Sequence, residues 1–151
     1  MEHLTKHDIG TFRVVCLAST SGDILRADLD TAGFACYFLD SSSIIDKESF
    51  FEQLSHGCEL SIDSSKRLTS WDAASDLLWQ KLMEQSKDKV AIIWRDAHLM
   101  LDGRLQLLLD CLEFLLGVAE MVERQEVTPD SHPVFLRVIL IGEGTNYYVC
   151  K

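Results

Sequence analysis

Four stretches of the chain are apolar at nearly every position: 12–18 (FRVVCLA), 34–39 (FACYFL), 90–94 (VAIIW) and 134–141 (VFLRVILI). All are rich in β-branched and aromatic residues, which suits a pleated backbone. A strand wetted on one side alternates apolar with polar residues, whereas a continuous apolar run marks a strand covered on both faces, as in parallel sheets. Between these runs the apolar positions recur at helical spacing, over about 22–31, 46–56, 71–85 and 103–125, the last dense in leucine. Strands alternating with helices predict an α/β fold: a small, mainly parallel sheet of three to four strands with helices packed on it, and 90–94 as a central strand. Asp46 stands where an N-cap belongs, ahead of Lys47-Glu48-Ser49, and Ser70 or Thr69 can cap the helix opening at Trp71. The intervening segment 58–69 (CELSIDSSKRLT) is polar and aperiodic, so it reads as an exposed loop leading into that helix.

Composition narrows the picture. The chain has 151 residues, of which 47% are hydrophobic, enough for one continuous core. Its two prolines, Pro129 and Pro133, bracket a short polar segment rather than a linker, and no repeat is visible, so 1–151 reads as a single domain. A formal charge of −10 repels nucleic acid and anionic lipid and speeds encounter with a basic partner. The five cysteines (Cys16, Cys36, Cys58, Cys111, Cys150) are widely spaced with no CxxC pair and read as reduced, mostly buried side chains. With no apolar segment of signal-peptide or membrane-spanning length, the expected location is the cytoplasm.

Catalytic and cofactor chemistry finds little footing. The histidines (His3, His7, His56, His98, His132) are scattered, and no HExxH or Cys/His cluster occurs, so no metal is expected. The first strand–helix joint, Ser19-Thr20-Ser21-Gly22-Asp23, and the later Gly142-Glu143-Gly144 match neither GxxxxGK[ST] nor GxGxxG, so no phosphate-bearing cofactor is expected. No GxSxG marks a nucleophile elbow; Cys58 beside His56 reads as coincidence, and Asp96 and His98 read as a loop cap and a solvated imidazole rather than an acid/base pair.

One constellation does suggest a role. On the helix opening at Trp71, Asp72 and Asp76 stand four residues apart on one face near the positive end of the helix dipole, and Trp79 continues the stripe. The opposite stripe, Ala74, Leu77, Leu78 and Leu82, faces a core, which sends the acids and Trp79 outward. Paired acids beside an aromatic resemble the anchors of a protein interface. A second polar line, Asp110, Glu113 and Glu120, runs along the later helix, where solvation alone explains it.

The order of these strings resembles the barstar-like family of ribonuclease inhibitors. In that family a strand leads through an Asp or Gly turn and an isoleucine to a helix with an aromatic–x–x–leucine pattern, similar to Leu39-Asp40-Ser41-Ser42-Ser43-Ile44-Ile45 followed by Ser49-Phe50-Phe51-Glu52-Gln53-Leu54. The family's string opening its recognition helix, Asn-(Trp or Leu)-Asp-Ala-Leu with another Asp four residues on, is similar to Ser70-Trp71-Asp72-Ala73-Ala74-Ser75-Asp76. The family's strand ending in Trp-Arg or Trp-Asp is matched by Ile92-Ile93-Trp94-Arg95, its long helix by 103–125 and its last apolar strand by Val134–Ile141. The likeness covers about 34–142, and 1–33 looks like the extra strand and helix of longer members. In one departure, the family's aromatic-glycine segment before the recognition helix is replaced by Ser64-Ser65-Lys66-Arg67-Leu68. The resemblance implies a non-catalytic inhibitor whose acidic helix and preceding loop plug the active site of a basic, ribonuclease-type toxin, carboxylates standing in for phosphates. The partner-binding residues it implies are Asp72, Asp76 and Trp79, with Ser70 and Trp71 opening the helix, Lys66 and Arg67 in the loop and Glu113 on the later helix. The competing expectations are a non-catalytic α/β module recruiting some other basic protein, and a small enzyme with a cleft at the strand ends.

Overall fold

The structure, a computed structural model, describes residues 13–18, 22–60 and 68–143. Four strands, β1 (Val14–Ala18), β2 (Phe34–Asp40), β3 (Lys89–Arg95) and β4 (Phe135–Gly142), form one sheet in the order β1-β4-β3-β2. Every pairing is parallel, so the sheet is wholly rather than mainly parallel. Helix α1 (Gly22–Thr31) joins β1 to β2, α2 (Lys47–Gly57) and α3 (Trp71–Glu84) join β2 to β3, and α4 (His98–Gly103) and α5 (Leu105–Glu123) join β3 to β4.

The strand order explains the layering. From β1 the chain crosses to the far edge, then returns strand by strand through β3 to β4. Crossovers in parallel sheets keep one hand, so reversing the direction of travel puts helices on opposite faces. Leu25 and Leu29 of α1 accordingly pack with Val15, Leu17, Ile93, Ile139 and Ile141 on one face. On the other face the larger core joins α2–α5 to Leu39, Val90, Ile92, Trp94, Leu136, Val138 and Leu140. Strand β3 lies between β2 and β4 and is buried on both sides from Val90 to Trp94, the central position its unbroken apolarity predicts.

Both predicted caps are present. The Asp46 side chain accepts from the Ser49 backbone N–H at 2.8 Å, and the Ser49 hydroxyl accepts from the Asp46 N–H at 3.0 Å, a reciprocal capping box. The helix predicted over 103–125 is present as α5 from Leu105 to Glu123, and a short helix that the pattern does not predict, α4, precedes it from His98. The break follows from Gly103 and Arg104, whose φ of −141° leaves helical geometry. No helix among the described residues is long and apolar enough to cross a membrane.

Candidate functional site: the acidic face of the third helix

Helix α3 begins at a defined place. Ser70 is extended, and its hydroxyl accepts from the Ala73 N–H at 3.1 Å, satisfying one of the unpaired donors of the first turn. Immediately after it, the half-buried Trp71 indole lies among aromatic rings from two other helices: 5.1 Å from Phe51, 5.3 Å from Phe114 and 6.0 Å from Phe50, centroid to centroid. Phe50 in turn stacks on buried Trp94 of β3 at 5.8 Å, so a continuous ring cluster ties the start of α3 to the central strand.

Buried Ala74, Leu78 and Leu82 form the inner stripe of α3, and Leu77 flanks it half-buried. Asp72 and Asp76 are exposed, one turn apart on the outer face, and neither takes an ion pair among the described residues. Farther along that face Gln80 donates to the Glu84 carboxylate at 3.0 Å. Trp79 departs from expectation. It does not stand free beside the acids but is half-buried and packs against the main core. Its large indole shares their face by spacing, yet it buries its apolar area on the helix flank rather than leaving it wet.

On α5, Asp110 accepts from Gln106 at 2.9 Å and Glu120 pairs with Arg124 at 2.8 Å, while exposed Glu113 takes no ion pair among the described residues. Glu113 precedes Phe114, whose ring meets Trp71, so this turn of α5 lies beside the first turn of α3. The structure thus brings Ser70, Trp71, Asp72 and Asp76 together, with Glu113 on the neighbouring helix. Lys66 and Arg67 lie outside the described residues.

The candidates for catalysis do not assemble. Burial pushes the Cys58 thiol up to about 12, so it stays protonated at neutral pH, and His56 is exposed. Asp96 turns the chain with a φ of 54°, and His98 opens α4 with its Nδ1 accepting from the Glu143 N–H at 3.2 Å. Among the described residues no group of three or more His, Cys, Asp or Glu side chains could hold a metal ion.

The ring cluster is the part of the site that periodicity alone misses. Trp71 and Phe114 are distant in sequence, and a helical pattern says that each leans inward without saying what it meets. Comparison with protein-family models and with curated proteins gives no match to this chain.

Proposed function

We propose that this protein inhibits a basic, ribonuclease-type toxin by seating the acidic face of α3, with the loop before it, in the enzyme's active site. The observation that carries this reading is the pair Asp72 and Asp76: two exposed carboxylates one turn apart, without an ion pair among the described residues. A site built to grip a phosphodiester presents arginines and lysines, and short carboxylates lose little entropy on pairing with them. The ring cluster under Trp71 fixes the helix before binding, which lowers the ordering cost of association. Net charge supports the same partner chemistry, since −10 draws a basic protein in and keeps nucleic acid out. Catalysis and cofactors play no part in this reading. Cys36, Cys58 and Cys111 are thiols outside any disulfide, in keeping with a reducing compartment, and the reading places the inhibitor in the cytoplasm.

The test is inhibition of RNA cleavage by barnase and a panel of other basic ribonucleases. The parent protein is expected to abolish cleavage by at least one of them at equimolar ratio. Against that enzyme Asp72→Ala and Asp76→Ala should each cost about 2–5 kcal/mol of binding, mainly as faster dissociation, because a desolvated cation is left unpaired. The unfolding free energy of Asp72→Ala should shift only by about 0.3–1 kcal/mol, the worth of an exposed first-turn acid, and that of Asp76→Ala, one turn further along, by less. Uninhibited cleavage throughout the panel, or parent-like inhibition by both variants, overturns the reading; capture of a basic protein that is not a nuclease would favour the recruiting module.

A further inference from the structure

At the end of the sheet where the strands begin, a cavity of about 570 Å³ opens between the last turn of α1, the start of β3 and the segment joining α5 to β4. That volume lies within the range of small-molecule sites. Its floor is one register row across three strands, Phe34 beside Lys89 beside Phe135. The two phenyl rings meet edge to face at 6.3 Å. Val127 stands at the mouth, 82% exposed, an apolar side chain with nothing to cover it among the described residues.

We propose that this cavity binds a small amphipathic acid, an aromatic or aliphatic body carrying one anionic headgroup, with the body against the half-buried Phe135 ring and Val127 and the headgroup on Lys89. The Lys89 ammonium carries three N–H donors. One reaches the Ala32 carbonyl at 3.5 Å, and the group lies 5.7 Å from the Phe34 ring centre. It takes no ion pair among the described residues, so it has donors left for a ligand that enters beside it.

Two carboxylates also line the cavity, and neither opposes this assignment. Arg13 donates to Glu123 through two nitrogens, an ion pair that holds the Glu123 carboxyl below its usual range. The Asp88 residue is exposed, so water screens its carboxylate, while its backbone carbonyl is bound to the Phe135 N–H at 2.7 Å. Further cations lean on the same end. Lys87 reaches the Phe34 carbonyl at 3.4 Å, and the Arg137 guanidinium lies 3.4 Å from the Phe135 ring centre. Neither side chain lines the cavity, so Lys89 is the cation that meets an anionic headgroup there.

This site lies at the opposite end of the strands from Asp96 and Gly142, and it does not depend on the nuclease reading. The probes are 8-anilinonaphthalene-1-sulfonate, an aromatic anion, and N-phenyl-1-naphthylamine, its uncharged counterpart, each titrated by fluorescence into the native full-length protein. One saturable site is expected for the anion. Lys89→Gln should weaken the anion about tenfold and leave the neutral probe unchanged. Val127→Trp, a change at an exposed position, should block both probes without moving the thermal midpoint. Absence of saturable binding, or binding that Val127→Trp leaves intact, overturns the site. Equal effects of Lys89→Gln on both probes overturn the headgroup assignment. Circular dichroism of each variant separates a loss of fold from a loss of binding.

Discussion

A methyl group at position 57 would stand 2.0 Å from the carbonyl oxygen of Phe38, so α2 ends on glycine because its last turn rests directly on the backbone of β2. Neither partner is a flexible side-chain tip, and relief requires the helix end to move. Gly57→Ala is therefore expected to lose about 1–3 kcal/mol in urea unfolding, the range for overpacking, although alanine is the better helix former. An unchanged midpoint would mean that α2 does not seat as described. A second single-residue dependence lies close by. The Trp94 indole N–H donates to the Ser41 hydroxyl at 2.6 Å, and both residues are wholly buried. Ser41→Ala strands that N–H in the core at an expected cost of about 1–3 kcal/mol. In a double-mutant cycle Trp94→Phe should cost less in the Ser41→Ala background than in the parent, because the stranded donor is then gone. Strict additivity would show that the bond contributes nothing.

At the scale of elements, the Asp46 cap makes α2 responsive to pH. The Asp46 carboxyl is held below the usual aspartate range by the Ser49 backbone N–H and then by the Ser49 hydroxyl. A folded-state pKa below the unfolded one means stability that is fully present above the ordinary aspartate value, about 3.9, and lost as pH falls through the lower folded value. Asp46→Asn keeps an acceptor at the cap but removes the titration. Thermal midpoints of parent and variant should differ at pH 6 and converge towards pH 3; a constant gap would show that the carboxylate form gives the cap no advantage. Elements were legible in the sequence where burial is two-sided or caps are explicit. The runs at β3 and β4 are apolar at nearly every position because both faces are covered, and Asp46 and Ser70 cap the helices they precede. Helix α4 was not legible, since six residues give too little period and its start at Ala97 has no side-chain cap. Of the site, the exposure of Asp72 and Asp76 could be read from the amphipathic stripe. The retreat of Trp79 onto the core could not, because spacing fixes a face and leaves open how far a large ring reaches back.

At the scale of the whole molecule, strand order was the least legible property: covered faces say that a strand has neighbours without saying which. That order decides the standing of residues 1–33, which look from sequence like an extra strand and helix at the start of the domain. In the structure β1 pairs with β4 from Val14↔Val138 to Ala18↔Gly142, and α1 is the helix on its face of the sheet among the described residues. Leu25 and Leu29, 2% and 0% exposed, cover the side of the central strands that carries Ala91, Ile93, Ile139 and Ile141. Removing β1 and α1 would leave those side chains and Phe34 facing water. At about 1.5–3 kcal/mol for each large apolar side chain uncovered, the loss is on the order of 10 kcal/mol, comparable to the whole stability of a domain this size. A chain beginning at residue 34 is thus expected to be unfolded or self-associated. Size exclusion with light scattering, together with urea unfolding followed by circular dichroism, reads this directly. A monomer with a cooperative transition would show that the four-helix side of the sheet folds by itself and that the first 33 residues are an addition after all. Aggregation or a featureless transition, with the full-length protein monomeric and cooperative under the same conditions, would show that both faces of the sheet must be covered for the acidic helix to be presented.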